Sequence, residues 1–238
     1  MDHAAQDVMT EYKDIVLAFG ESDEFSFVFQ KSTSLYNRRH TKIVTTVTSL
    51  FTSCYVFHWQ SYFPDSPLRY PPSFDGRIVL YPTEREVRDY LSWRQADTHI
   101  NNLYNTAFWA LVQQGGETTT QAHATLRGTN SSTKHELLFS RFQINYNEIS
   151  ARFRKGSVIV REEISPETNL AREPVHDPAE LEPSNSDEAT IEHSQGIPSR
   201  NTTKKDKQKD KFRTRIDLFH GDIIGDEFWQ TRPRILSV

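Results

Sequence analysis

A polar segment near the C-terminus is the feature that most constrains how this chain can fold. Over residues 165–211, proline, serine, threonine, asparagine and acidic residues dominate, apolar residues are isolated, and lysines crowd the end. Such a segment cannot bury enough apolar surface to offset the entropy that it loses on ordering. We therefore predict a disordered insertion here, so the residues on either side of it must build the core.

The same segment accounts for the acidic net charge of the chain. Residues 165–199 contain eight acidic side chains and one basic side chain, whereas the whole chain has a net charge of −4. The remaining residues carry 27 basic and 24 acidic side chains, which is a net charge of +3. This balance permits an anionic partner without requiring one.

Cysteine and apolar content narrow the class of protein. A single cysteine, Cys54, excludes a disulfide framework and a multi-cysteine zinc site, and is typical of a reducing compartment. No apolar run approaches the roughly 20 residues that cross a bilayer, and residues 1–5 lack the basic and apolar regions of a secretory signal. We therefore expect a protein of the cytoplasm or nucleus without a membrane association.

The spacing of apolar residues predicts an α+β fold, in which helices pack on an antiparallel sheet. Two β-rich runs flank a short turn that contains glycine, which predicts a hairpin of residues 14–19 and 25–29. Helical spacing follows, and we expect Thr83 and Asp97 to cap two consecutive helices. Further strands are predicted at 74–81 and 157–163, and helices at 41–63, 83–94, 97–114, 119–126 and 133–139, with ordered structure again at 218–236.

The hairpin turn carries two adjacent carboxylates. Asp23 and Glu24 follow Ser22 at the point where one strand ends and the next begins. Neighbouring carboxylates at the edge of a sheet are a common way to hold Mg²⁺, which prefers oxygen ligands and keeps room for substrate phosphates. The alternative is an ordinary polar turn, because aspartate and serine favour turns in any case.

Basic side chains follow at the start of the next predicted helix. Arg38, Arg39 and Lys42 lie there, and Arg77 lies in the predicted third strand. Cations near a helix N-terminus suit a phosphate, because the unpaired N–H groups and the helix dipole add to their charge. A solvated basic face is the alternative. No Walker A motif or dinucleotide fingerprint occurs in the sequence.

A third group of polar residues lies in residues 92–106. His99 stands there among several asparagines, with tyrosine, arginine and glutamine nearby. Imidazole and amide groups can bind the edges of unpaired bases, and aromatic rings can stack on them. The alternative is structural, with the aromatic residues in the core and the amides capping helices.

Five segments together resemble the tRNA-histidine guanylyltransferase family. The longest is LSWRQADTHINNLYNT at residues 91–106, which is far more specific than chance would give. The others are GESDEFSF at 20–27, YPPSFDGR at 70–77, ELLF at 136–139 and DIIGD at 222–226. The resemblance covers nearly all of the chain outside the polar insertion.

The resemblance implies a fold and an activity. Such enzymes resemble polymerase palms, bind two Mg²⁺ ions and form homotetramers in which one tRNA spans subunits. ATP adenylylates the 5′ end of tRNA-His, and the 3′-hydroxyl of GTP then displaces AMP, which adds GMP in the 3′-to-5′ direction. It further implies a palm-like catalytic domain at 1–130 and a C-terminal part of the same unit at 131–164 and 212–238.

It also implies roles for individual residues. Asp23 corresponds to a metal-binding and catalytic carboxylate that Glu24 assists, and Ser22 borders the bound GTP together with Asp23. Three cations correspond to side chains that hold nucleotide phosphates: Arg39, Lys42 and Arg77. Three residues correspond to positions that recognise the anticodon: His99, Lys134 and Asn145.

One departure from the family concerns the N-terminal side of the fold. Members carry a strand with Asp-Gly-Arg before the helix that precedes the hairpin, whereas Met1 here aligns within that helix. The Asp75-Gly76-Arg77 sequence has its own counterpart in the family and does not replace it. From this alignment we expect a palm without its first strand, and a chain that is inactive by itself. The alternative function is that of a catalytically inactive tRNA-binding fragment or subunit.

Overall fold

The computed structural model describes residues 1–163 and 214–236, and the insertion predicted at 165–211 lies outside them. Residues 1–162 and 216–236 form one compact unit. The helices are α1 (Asp2–Glu11), α2 (His40–Tyr62), α3 (Glu84–Gln113), α4 (Thr119–Leu126), α5 (Ser131–Phe142), α6 (Ala151–Lys155) and α7 (Asp226–Gln230). The strands are β1 (Ile15–Glu21), β2 (Glu24–Phe29), β3 (Ser157–Glu163) and β4 (Thr214–Phe219). The predicted division into a palm-like domain and a C-terminal part stays a prediction.

The sheet confirms the predicted α+β class. Its strand order is β2-β1-β3-β4, and β1 pairs antiparallel with both of its neighbours. Because β1 is an inner strand covered on both faces, it is apolar almost throughout, and Leu17 and Ala18 are fully buried. A register shift between Ile15 and Leu17 interrupts its alternation. Ile15 therefore packs on the same side as Ala18, and Leu17 packs on the other.

Each face of the sheet has its own hydrophobic cluster. On one face, α1 and α2 cover the strands, and Val8, Met9 and Phe51 belong to the same buried cluster as Ala18 and Ile159. On the other face, the start of α3 and the C-terminal residues contribute the buried side chains Leu91, Ile223, Phe228 and Trp229. The hairpin is thus held between two helical layers, and its turn extends to the edge of the molecule.

The predicted break before Asp97 is wrong, because α3 runs without interruption through residues 84–113. Thr83 caps the helix as expected, and its side chain accepts a hydrogen bond from the backbone N–H of Arg85. Asp97 does not act as a cap. Its carboxylate accepts hydrogen bonds from Arg94 and from Asn101, at 3.3 and 3.2 Å, both on the same helix. Side-chain pairing along the helix has replaced the predicted capping interaction.

The strand predicted at residues 74–81 is also wrong. These residues have neither strand nor helix structure, although exposure alternates from one residue to the next over residues 74–79. Alternating exposure indicates that every second side chain packs against the protein, but a strand also needs a neighbouring strand whose backbone accepts and donates its hydrogen bonds. Here Gly76 lies directly against α2, because a Cβ at Gly76 would collide with Val44 and Thr48. The segment is held by a helix instead of a sheet.

A third hydrophobic cluster joins the second half of α3 to α4 and α5. Leu103 and Leu111 of α3 pack with Leu126, Leu138 and Tyr146, all of which are nearly fully buried. The helix predicted at 119–126 is confirmed, and the one predicted at 133–139 is longer than expected, since Asn130 caps it and it extends to Phe142. The cluster places the region that follows α5 beside the middle of α3.

Candidate functional site

The turn of the hairpin consists of Ser22 and Asp23 alone, because Glu21 pairs directly with Glu24 across the two strands. Ser22 has a left-handed backbone with φ of 48°, which tight two-residue hairpin turns require. Asp23 is exposed, and no described residue forms a hydrogen bond or ion pair with its carboxylate. The structure therefore presents one unpartnered carboxylate at the tip of a rigid hairpin.

The neighbouring acidic residues have a partner that sequence reasoning missed. Arg94 of α3 forms ion pairs with both Glu21 and Glu24, and it contacts Asp97 at 3.3 Å. Glu21 also accepts a hydrogen bond from the hydroxyl of Thr98. Arg94 and Glu21 are almost completely buried, with side chains 11% and 6% exposed. These contacts attach the end of the hairpin to α3. Of the two carboxylates predicted to act together, Glu24 is therefore paired with Arg94, whereas Asp23 is free.

Burial also affects the ionisation of Glu21. Removal from water raises the pKa of this carboxyl group, while the Thr98 hydroxyl and the Arg94 guanidinium act in the opposite direction. Ionised Glu21 therefore depends on Arg94 for its stability inside the protein.

The predicted phosphate-binding cations lie at the start of α2 and in the segment beside it. Arg39 is the N-terminal cap residue of α2 and donates a hydrogen bond to the carbonyl of Tyr36 at 3.2 Å. The ammonium group of Lys42 lies 4.6 Å from the centre of the Tyr36 ring. Arg77 is exposed and pairs with Asp75 at 2.7 Å. All three side chains reach solvent, held only by contacts that a phosphate could replace.

Arg38 has a different role from its neighbours. Its guanidinium donates hydrogen bonds to the carbonyls of Lys31 and Thr33, at 3.1 and 3.3 Å. Its own backbone is left-handed, with φ of 56°. Arg38 therefore shapes the bend between β2 and α2.

Aromatic packing brings these elements together. The ring of Phe51, in the middle of α2, contacts Phe25 of β2 at 5.7 Å and Phe74 at 4.9 Å between ring centres. Phe25 lies next to Glu24, and Phe74 lies two residues before Gly76. Phe51 therefore packs both the end of the hairpin and the segment that carries Arg77 against α2.

A second polar cluster surrounds His99 on α3. Its ring lies 5.4 Å from Tyr146 and 6.3 Å from His135 of α5, measured between ring centres. The buried Tyr146 hydroxyl donates to the carbonyl of His99 and accepts from the amide of Asn102 at 2.9 Å. Burial, together with His135 and Arg154, lowers the pKa of His99. This shift favours the neutral imidazole, which both donates and accepts hydrogen bonds.

The other two residues predicted to contact RNA lie beside this cluster. Lys134 precedes His135, and its ammonium group donates to the carbonyl of Thr129 at 2.8 Å. Asn145 precedes Tyr146 and is exposed, with its amide donating to Glu148 at 2.9 Å. The structure thus brings the neighbourhoods of all three predicted residues together. Sequence reasoning missed Tyr146, which organises the cluster, because a buried tyrosine at that position has no distinctive local pattern.

Comparison with known proteins identifies the family. Residues 1–82 match the sequence model described as tRNAHis guanylyltransferase, and residues 85–225 match the one described as Thg1 C terminal domain. The chain belongs to the tRNA(His) guanylyltransferase family. It is therefore an enzyme, a nucleotidyltransferase, as the sequence resemblance predicted.

Individual relatives agree with this assignment. A probable tRNA(His) guanylyltransferase of Mus musculus is 47% identical over 237 residues, which span 100% of this chain and 72% of the mouse protein. The crystal structure of the tRNA(His) guanylyltransferase of Saccharomyces cerevisiae is 49% identical, with a TM-score of 0.65 over 67% of this chain and 71% of the yeast chain. A bacterial Thg1-like protein in complex with ATP, 23% identical over 66% of this chain and 65% of its own, shares the fold with a TM-score of 0.54.

No helix in residues 1–163 or 214–236 is both long and apolar enough to cross a membrane.

Proposed function

We propose that this nucleotidyltransferase adds GMP to the 5′ end of tRNA-His, with ATP activating the 5′-phosphate through an adenylylated intermediate and GTP supplying the guanylate. Family membership supports this reaction, and the unpartnered Asp23 carboxylate supports an active site at the turn of the hairpin. Cytoplasm or nucleus, where tRNA is processed, is the proposed location.

Asp23 fits a site for Mg²⁺. Its oxygens are exposed and carry no competing cation among the described residues, whereas Glu24 is already paired with Arg94. Mg²⁺ is commonly held by one or two carboxylates, with water and substrate phosphates completing its shell. The family resemblance implies two such ions, whose chemistry is to neutralise charge on the phosphates during transfer. Ser22 borders the GTP beside Asp23 in this proposal.

Arg39, Lys42 and Arg77 are proposed to hold the triphosphate groups of ATP and GTP. Phosphoryl and nucleotidyl transfer depend mainly on positioning and on stabilising negative charge. Each of these cations is exposed, and each is anchored by a weak local contact instead of a buried ion pair. They can therefore turn toward phosphate without leaving a buried group unpaired.

His99, Lys134 and Asn145 are proposed to recognise the anticodon, with Tyr146 holding the His99 segment in place. This proposal also bears on assembly. Arg94 and His99 are five residues apart on α3, which is about 7.5 Å along a helix. The anticodon and the 5′ end lie at opposite ends of a tRNA and cannot both reach one chain at such close positions. We therefore propose that one tRNA spans subunits, in the homotetramer that the family resemblance implies.

Guanylate addition to tRNA-His tests the reaction. The chain is incubated with 5′-phosphorylated tRNA-His, ATP, GTP and Mg²⁺, and the product is resolved by length after a single addition. The alignment predicts a chain that is inactive by itself, whereas family membership and the unpartnered Asp23 carboxylate lead us to expect a product one nucleotide longer that requires both ATP and GTP. Binding of tRNA-His without any addition would instead support the alternative, a catalytically inactive tRNA-binding subunit.

Replacing His99 with alanine tests anticodon recognition. We expect guanylate addition to intact tRNA-His to fall by about 10- to 100-fold, since base contacts of this kind are each worth on the order of 1–3 kcal/mol. Addition to a substrate without the anticodon arm should be nearly unchanged. His123→Ala is the matched control. His123 of α4 also lies against two aromatic rings, those of Tyr104 and Phe108, but is outside the cluster around His99. Equal losses on both substrates would show a role in folding or chemistry instead.

A further inference from the structure

A second group of metal-ligating side chains lies away from the hairpin, between α1 and α2. His3 and Asp7 are one helical turn apart on α1, so they face the same side, and His58 faces them from α2. One ligand atom from each of the three lies within 4.8 Å of the others. The nucleotide and tRNA sites described above use none of these side chains.

The contacts within this group are close. The Nε2 atom of His58 lies 2.6 Å from the Asp7 carboxylate, and the side chains are 14% and 30% exposed. The ring of His3 stacks on that of His58, with centres 3.6 Å apart and planes 13° from parallel. The hydroxyl of Tyr62 lies 3.3 Å from Nδ1 of His3. With Nδ1 engaged there, Nε2 of His3 is the nitrogen left to bind an ion.

We infer that His3, Asp7 and His58 form a binding site for a divalent transition metal such as Zn²⁺, which clamps α1 to α2. Two imidazoles and one carboxylate are a ligand set that Zn²⁺ takes, with solvent in the fourth position. Imidazole also distinguishes this site from the oxygen ligands that Mg²⁺ prefers at the hairpin.

Small side-chain rotations convert the observed arrangement into a bound one. Around Zn²⁺, ligand atoms at about 2.0 Å from the ion stand about 3.3 Å apart. The more distant atoms of the group therefore need to approach by at most about 1.5 Å, and the His58 and Asp7 atoms, now 2.6 Å apart, need to separate slightly to admit the ion. The two rings must also tilt out of their parallel stack, because the lone pairs of stacked rings do not converge. His3 lies in the first turn of α1 and is only partly buried, which leaves its side chain room to tilt.

Calorimetric titration of the chelator-treated 238-residue chain with Zn²⁺ tests the inference. Excess Mg²⁺ is present throughout, so that hard-oxygen sites such as Asp23 are occupied. We expect one Zn²⁺ per chain, and a dissociation constant at least tenfold weaker in His3→Gln and in His58→Gln. His40→Gln is the matched control, because His40 is an exposed histidine on the same helix as His58; it should bind as the unchanged chain does.

A second measurement guards against a variant that merely fails to fold. Zn²⁺ should raise the thermal unfolding midpoint of the unchanged chain and of His40→Gln. It should have no effect on His3→Gln, which should still fold because His3 lies in the first turn of α1 and is only partly buried. Absence of Zn²⁺ binding, or equal binding by all four proteins, would overturn the inference and leave His58 and Asp7 as a hydrogen-bonded pair between two helices.

Discussion

Replacing Asp23 with asparagine is expected to lower guanylate addition at least about a hundredfold. Loss of a residue that only supports a metal ligand typically costs 10- to 100-fold, and a direct ligand is expected to cost more. The exchange keeps the size and turn preference of the side chain, so the hairpin should persist. Single-turnover addition to tRNA-His at saturating ATP and GTP measures the effect, and tRNA affinity is measured in parallel and should change little.

Asp89→Asn is the matched control for this change. Asp89 is an exposed aspartate on α3 that pairs with Arg85 at 3.8 Å. It should retain full activity. If Asp23→Asn and Asp89→Asn behave alike, Asp23 is a turn residue and the metal lies elsewhere. Added Mn²⁺ gives a second readout, because partial rescue by a different ion indicates a metal ligand.

Replacing Arg94 with methionine is expected to lower the free energy of unfolding by about 3–5 kcal/mol. Removal of one partner from a buried ion pair leaves the other charge buried without compensation, and here Glu21 is the group left behind. Urea denaturation followed by circular dichroism measures the loss. It should be smaller in acidic buffer, because burial raises the pKa of Glu21 and its neutral form needs no cation. The protonated Glu21 favours the folded state, so its contribution to the free energy of unfolding is present at low pH and is lost as the pH rises through the raised pKa.

Two further variants separate this effect from a general sensitivity of α3. Arg85→Met removes an ion pair on the same helix whose side chains are 85% and 71% exposed, and it should cost less than about 1 kcal/mol. Glu21→Gln combined with Arg94→Met should recover part of the loss, since no buried charge then remains unpaired. A double variant as unstable as the sum of its parts would mean that Arg94 acts through packing alone.

The local features of this protein follow from its sequence. The hairpin, α2 and α4 were predicted close to their observed bounds, because turn chemistry and apolar spacing act over a few residues. The family was also predictable, since residues 91–106 form one continuous and specific run. The exposed position of Asp23 follows from the same local logic, because a two-residue turn between paired strands leaves its side chain in solvent.

Contacts between distant parts of the chain were decided only by the tertiary structure. Arg94 meets Glu21 across 73 residues, and this pairing shows which of the neighbouring carboxylates is held and which is free. Arg94 also pairs with Asp97 on the same helix, and α3 continues at the point where Asp97 was predicted to cap a new helix. Asp7 and His58 meet across 51 residues, for which neither helix alone gives a sign. Local sequence patterns report what each element prefers by itself, whereas charge pairing in the interior depends on which elements pack together.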